Sequence, residues 1–196
     1  MIVYCGTGNP GKLREFQEAA PQFELRAVSV PPPDEIGEMF EENACQKAVY
    51  YGAHAAGYLF ADDSGLEVDA LDGAPGVHSA RFAGPDATDA DNNALLLERL
   101  RGVENRSARF VCVIALVRDG KLVKTFRGAV EGRILDAPRG SGGFGYDPLF
   151  FYEPFGCTFG EATLEQKMNV SHRAQALRAM FAFLDSERTR SSSSHR

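Results

Sequence analysis

The stretch FVCVIALVRDGKLVKTFRGAV, residues 110–130, decides the fold. Phe110 to Val117 is almost wholly apolar and reads as a buried strand. Asp119-Gly120 follows, a pair suited to a tight hairpin turn, and Leu122 to Val130 resumes a strand pattern. A hairpin inside a chain whose other segments mix strands and helices argues against a purely parallel doubly wound sheet. A mixed α/β, α+β-like domain with a mixed sheet is expected.

Upstream, Ile2 to Cys5 predicts a short buried strand and Gly6 to Gly11 a turn-rich loop. Lys12 opens a helical segment with Leu13, Phe16 and Ala20 on one face, ending near Pro21. Strand, loop and helix in this order present backbone N–H groups to an anion. Leu25 to Val30 predicts a second strand, stopped by Pro31-Pro32-Pro33 and an acidic linker. Phe40, Ala44, Ala48, Tyr51 and Ala55 set a helical stripe over Glu38 to Ala56, with Asn43 and Lys47 together on another face. Leu59 to Ala61 predicts a short strand that ends at Asp62-Asp63-Ser64-Gly65. Val68 to Leu71 is expected to be irregular, and Ala94 to Leu100 helical with Asp89 or a neighbour as cap. Gly140 to Gly145 is a glycine-rich loop. Ala174, Leu177, Met180, Phe181 and Leu184 form the stripe of a last helix. Residues 1–185 are expected to form one domain, and Ser186 to Arg196 a disordered, Ser/Arg-rich tail.

The chain has 196 residues, 44% of them hydrophobic, enough for a sizeable core. A net charge of −6 argues against long nucleic acids as partners and favours a small anionic substrate met by a few lysines and a metal. Cys5, Cys45, Cys112 and Cys157 are widely spaced, as buried free thiols in a reducing compartment would be. No apolar run reaches the ~20 residues that cross a bilayer, and no secretory signal follows Met1, so a cytoplasmic, membrane-free protein is expected.

The densest chemistry lies at Ala61-Asp62-Asp63-Ser64-Gly65. Adjacent Asp residues cannot both face the same way in a regular strand. Asp63, beside Ser64 and Gly65, is favoured for the cleft, with Glu42 as a partner ligand from the helix. Asp69 and Asp72 rank as reserves, and Asp86, Asp89 and Asp91 as solvated turn and cap residues. The alternative for Asp62-Asp63 is a cap or surface turn, and for Glu42 plain solvent exposure. Thr7, Gly8, Asn9, Pro10, Gly11 and Lys12 do not make a Walker A loop, since no Ser or Thr follows Lys12. Thr7 and Asn9 can still bond phosphate oxygens and Lys12 can meet their charge. The same stretch would serve equally as an ordinary strand–turn–helix connection. Phe144-Gly145-Tyr146-Asp147 offers rings to stack on a base and a carboxylate for its edge, or a packed aromatic pair in a loop. Ser171 is a reasonable helix cap. It leaves His172 and Arg173 at a helix start, where a cation gains nothing from the dipole and needs a ligand or a carboxylate. His54 and His78 read as structural. No nucleophilic triad is present, so a water held by metal and carboxylate is the simpler nucleophile.

Taken in order, these motifs closely resemble the inosine/xanthosine triphosphate pyrophosphatase family of bacterial type, from Ile2 to about Leu184. The markers are Thr7-Gly8-Asn9 with Lys12, Phe40 to Ala44 with Lys47, and Ala61 to Leu66. Gly73 to Gly76, Ser79 to Phe82, Gly142 to Pro148, Lys167 and Ser171 to Leu177 complete them. The resemblance implies a two-lobed fold with an elongated sheet and a cleft, usually homodimeric. It implies hydrolysis of non-standard purine nucleoside triphosphates (dITP, ITP, XTP) to monophosphate and pyrophosphate. By the same likeness, Thr7 to Lys12 bind the triphosphate and Glu42 and Asp63 hold Mg2+. Asp63 also accepts the proton of the attacking water, and Ser64 touches substrate. Phe144, Gly145, Tyr146 and Asp147 form the base platform, which Lys167, His172 and Arg173 close. Glu41 stands where relatives often carry an apolar residue, which leaves Glu41 and Glu42 both open as ligands. The 6-oxo group of these purines is a fitting acceptor for Arg173, whereas adenine presents an amino donor there.

Overall fold

A computed structural model describes the backbone of residues 1–193 and the side chains of residues 1–190. Seven strands form one mixed sheet in the order β2-β1-β3-β4-β5-β6-β7. They are β1 (Ile2–Gly6), β2 (Glu24–Ala27), β3 (Tyr58–Val68), β4 (Ser107–Arg118), β5 (Lys121–Ile134), β6 (Phe150–Tyr152) and β7 (Cys157–Thr158). β1 runs parallel to β2 and β3, and every later pairing is antiparallel. The hairpin that decides the class is present. Asp119 and Gly120 both take positive φ (50° and 74°), the left-handed pair that a tight turn with this twist requires.

Five helices cover the sheet: α1 (Pro10–Ala19), α2 (Phe40–Gly52), α3 (Asp89–Arg99), α4 (Leu164–Val170) and α5 (His172–Ser193). The alternation along the central strands sorts the core. Leu59 and Ala61 of β3 pack with Val111, Val113, Ala115 and Val117 of β4 under α2. Phe60, with Cys112, Ile114 and Leu116, faces α1 and α5. A third cluster joins the far ends of the long strands, Leu66, Phe110 and Ile134, to Phe150, Phe159 and α3. The sheet is therefore elongated, with core at both ends.

The structure corrects several expected boundaries. β3 does not stop at Ala61. It continues through the Asp-Asp-Ser-Gly run, paired with β4 as Asp62↔Ile114, Asp63↔Val113 and Ser64↔Cys112, because each polar side chain finds partners on its own face. Val68 belongs to this strand. α1 begins at Pro10 rather than Lys12, since Pro suits the first helical position and Asn9 caps it. β2 is confined to Glu24–Ala27, and α2 starts at Phe40 and ends at Gly52. α3 begins at Asp89 under a Thr88–Asp91 capping box. The short β6, β7 and α4 had no periodic signal. α5 overruns the expected tail boundary and reaches Ser193. Asp185 pairs with Arg188, and Glu187 with Arg190, at helical spacing. The remaining expected tail, 194–196, lies outside the described residues.

α5 reaches the sheet where β5 has no side chain. A Cβ on Gly128 would fall on the backbone carbonyl oxygen of His172, with the Ala176 nitrogen 2.9 Å away. This close approach is what sets His172 and Arg173 against the strands. Gly128→Ala is expected to cost about 1–3 kcal/mol, the scale of overpacking a filled core. A urea melt showing unchanged stability would mean that α5 can shift without loss.

Candidate active site

Asp62 and Asp63 are consecutive on β3, so the pleat sends them to opposite faces. Asp62 meets α1 and α5. Lys12 Nζ donates to its Oδ1 at 3.0 Å and Arg173 Nε to its Oδ2 at 3.4 Å. Burial would raise this carboxyl, but Lys12, Arg173 and Lys47 outweigh burial and hold it well below the usual carboxylate range. Asp63 meets α2. Asn43 Nδ2 donates to its Oδ2 at 3.1 Å and Lys47 Nζ to its Oδ1 at 2.9 Å, from one face of the helix as their spacing predicts. Here burial wins over Lys47, and nearby Glu35 adds to it, so the Asp63 carboxyl is raised. Two adjacent carboxylates thus acquire opposite characters. Asp62 is a fixed anion, and Asp63 is the one suited to accept a proton.

Glu35 was not foreseen. It sits in the irregular segment before α2, where no periodicity marks a buried side. Its Oε1 lies 2.6 Å from Lys47 Nζ and its Oε2 3.2 Å from Arg81. Burial pulls the Lys47 ammonium down, yet Asp63, Asp62 and Glu35 push it up to about 12. Lys47 is therefore a permanent cation shared by two carboxylates that line one cavity with Lys12 and Asn9.

The opposite end of that cavity is aromatic. Phe144 lies beneath two cations, with Lys167 Nζ 4.9 Å and the Arg173 guanidinium 5.6 Å from its ring centre. Lys167 donates to Asp147 Oδ2 at 2.5 Å and pairs with Glu15 Oε1 at 2.7 Å. Burial raises the Asp147 carboxyl against the pull of Lys167. Glu15, also unforeseen, is fully enclosed and bonds Arg173 as well. Burial opposes its charge, but Arg173 and Lys167 keep its carboxyl low. Only its place beside Phe16 on α1 hinted at burial. Phe144 also packs on the first turn of α1, where a Cβ on Gly11 would come within 2.6 Å of its ring.

Most of the expected site residues converge. Asn9, Lys12, Asp63, Ser64, Lys167, His172, Arg173 and the loop Phe144 to Asp147 all line the cavity. Thr7, Gly8, Pro10 and Gly11 do not line it. Thr7 Oγ1 accepts from the Asn9 N–H, and Asn9 Oδ1 caps α1 by accepting from Gly11 and Lys12. Glu42 does not line the cavity. Its carboxylate closes the α2 N-terminus, accepting from the N–H groups of Glu38 and Met39 at 3.0 and 3.3 Å. Glu41 turns to Thr125 on the surface at 2.7 Å. Asp69 pairs with Arg109 instead. Asp89, expected to be a solvated cap, lines the cavity.

A profile of the Ham1 family matches residues 3–183. The chain belongs to the Ham1 family. A dITP/XTP pyrophosphatase of an Exiguobacterium species is 48% identical over 188 residues, covering 93% of this chain and 96% of its own. The Thermus thermophilus protein of the same name is 49% identical over 187 residues, covering 92% and 90%. A HAM1 protein structure from Coxiella burnetii matches at a TM-score of 0.84 and 38% identity, covering 95% of this chain and 99% of its own. The nucleoside-triphosphatase / dITP/XTP pyrophosphatase of Mycobacterium abscessus matches at 0.70 and 40% identity, covering 94% and 100%. The family resemblance read from the motifs and the mixed α/β fold are both borne out.

Arg173 lines the Ham1-family cavity with its guanidinium largely engaged. Nε bonds Asp62, and the two terminal nitrogens bond Glu15 and Ser64. Removing it would strand two buried carboxylates. Arg173→Ala is expected to destabilise by about 3–5 kcal/mol in a denaturant melt. A loss no larger than that of a surface substitution would show that Glu15 and Asp62 do not depend on it.

His172 stacks on Phe110, with ring centres 4.8 Å apart, and its buried Nδ1 has no hydrogen-bond partner. Burial, then Arg173 and Lys167, hold its pKa well below the usual value, so it stays neutral in the fold. The unfolded chain therefore binds the extra proton. This stabilising share is complete above the ordinary His pKa of about 6.5 and falls by up to about 1.4 kcal/mol per pH unit below it. Melting at about pH 7.5 and pH 5.5 should show a drop that shrinks in His172→Phe. An equal drop in both proteins would remove His172 as its source.

Proposed function

We propose that this protein hydrolyses dITP, ITP and XTP between the α and β phosphates, giving nucleoside monophosphate and pyrophosphate. The observation that carries this reading is one cavity lined by Asp63 and Lys12 together with Phe144, Lys167 and Arg173. The name shared by the Ham1 relatives supports it.

Each residue then has a physical task. Lys12 and the Asn9 amide meet the triphosphate oxygens. Asp63, its carboxyl raised by burial, accepts the proton of the attacking water. Lys47 and Asn43 hold its two oxygens in place. Phe144 stacks on the purine, and the remaining guanidinium donors of Arg173 suit a 6-oxo oxygen better than an amino group.

The oxygen donors facing the cavity suit Mg2+, which needs only one or two carboxylates beside substrate phosphates. Asp63 and Glu35 already share one cation in Lys47. Asp63 would hold the metal. Glu42, which the motif pairs with it, would have to leave its backbone cap to join. Bound there, Mg2+ would neutralise charge developing on the phosphate oxygens.

A cytoplasmic homodimer is part of the same reading. Val49 and Tyr50 on α2, and Leu122 and Val123 beyond the hairpin turn, are exposed apolar side chains that a second copy would cover. No helix of the described residues is long and apolar enough to cross a membrane.

The deciding assay incubates protein, Mg2+ and dITP and identifies the product. Pyrophosphate should appear, and excess chelator should stop it. Orthophosphate as the first product would overturn the assignment. Asp63→Asn keeps size and loses the proton acceptor, so turnover should fall by about 10²–10⁴ while nucleotide still binds. Near-normal turnover at saturating Mg2+ would place the base elsewhere.

A further inference from the structure

The loop that carries Phe144 is flexible by sequence. Glycines with positive φ stand on both sides of the ring, Gly143 at 71° and Gly145 at 61°. A stacking platform on such a loop costs ordering entropy at each binding event unless something fixes it beforehand. Ties hold the loop on both sides of the ring. On one side, Asp147 Oδ2 accepts from the Phe144 N–H at 2.9 Å, within the loop itself. On the other, α3 grips the Gly145 residue from both ends. Asp89 Oδ2 accepts from its N–H at 2.6 Å, and Asn93 Nδ2 donates to its carbonyl oxygen at 2.9 Å.

Asp89 and Asn93 lie four residues apart and so share one helix face. α3 is anchored independently of the loop. Thr88 and Asp91 box its N-terminus, and Asn92 ties it to Ala83 N–H and the Ala80 carbonyl. Leu96 and Leu100 continue the same face into the core, about two and three turns further on. Tyr146 and Asp147 anchor the loop on the far side of Gly145, through Ser79 and Lys167, and the grip fixes the Gly145 peptide groups beside the ring. Asp89 belongs to the cavity wall as well, so its carboxylate is close to whatever the platform holds.

We propose that Asp89, with Asn93, is a positioning residue for base recognition: the pair clasps Gly145 and holds Phe144 ready to stack on the purine. The inference rests on the reading of the cavity as a purine nucleotide site. It separates this pair from the residues at the phosphate end, which the clasp does not touch. Loss of the clasp weakens base binding and leaves phosphate binding and the chemical step intact.

The test compares two probes by calorimetry, inosine monophosphate for the base end and inorganic tripolyphosphate for the phosphate end. Asp89→Ala should weaken inosine monophosphate about tenfold, the loss of one charge-assisted hydrogen bond, and leave tripolyphosphate unchanged. In steady state, KM for dITP should rise by a similar factor with kcat within about twofold, the pattern of lost uniform binding. Asp89→Asn retains an acceptor oxygen and should recover most of the affinity. Asn93→Ala removes the other arm and should weaken inosine monophosphate in the same selective way, which keeps the test standing if Asp89→Ala folds poorly. Unchanged inosine monophosphate affinity in both alanine variants would overturn the clasp. So would an equal loss for tripolyphosphate, which would mark a general distortion. Wild-type protein that neither binds inosine monophosphate nor releases pyrophosphate would instead overturn the functional reading.

Discussion

The pleat of β3 is the constraint on which the site depends. Two carboxylates one residue apart would repel and share solvent if both faced the same way. The strand separates them into different electrostatic surroundings without any loop or metal. Asp62 falls among Lys12 and Arg173 and stays charged, while Asp63 falls against α2 and is pushed towards protonation. Had the strand ended at Ala61, neither environment would be fixed. The antiparallel ladder with β4 thus fixes both environments.

What the pleat separates, α5 joins. Its first turn brings His172 and Arg173 to the sheet through the gap at Gly128. Arg173 then connects three elements at once: Glu15 on α1, and Asp62 and Ser64 on β3. Lys167, from the preceding α4, ties Glu15 to Asp147. A chain of alternating charges therefore runs from Lys12 and Asp62 to the Phe144–Asp147 loop. Burying it is costly, and each member is tolerable only because its neighbours are present. Such a network specifies the relative placement of α1, α5 and the base loop more strictly than apolar packing would.

Much of this was legible in the sequence, and the gaps have physical reasons. The hairpin was readable because Asp119-Gly120 is one of few pairs that take positive φ at low cost. The opposition of Asp62 and Asp63 followed from strand geometry, and the pairing of Asn43 with Lys47 from helix geometry. The length of β3 was hidden because polar residues in mid-strand look like a strand end until their partners are known. Glu35 and Glu15 were hidden for the same reason. A glutamate in a proline-rich linker, or on a short helix, reads as solvated unless a distant lysine or arginine is seen to meet it. Asp89 read as a cap and proved to sit at the first turn of α3, yet its carboxylate serves another segment. Glu42 followed its motif, but its capping role is a local backbone interaction that no motif records.

The charge balance of the cavity explains why a lysine-rich reading of it is incomplete. Lys12, Lys47, Lys167, Arg81 and Arg173 are five cations, and Asp62, Asp63, Glu15, Glu35 and Asp147 are five carboxylates bonded to them. The site carries no surplus of positive charge. Its cations are already committed, and a triphosphate arriving alone would face carboxylates as much as ammonium groups. On the proposed reaction, a divalent cation entering with the substrate would supply the missing charge. The lysines then act as fixed orienting charges, and the metal settles the balance. With a net charge of −6, any attraction to an anion is local to such pairs rather than spread over a basic surface.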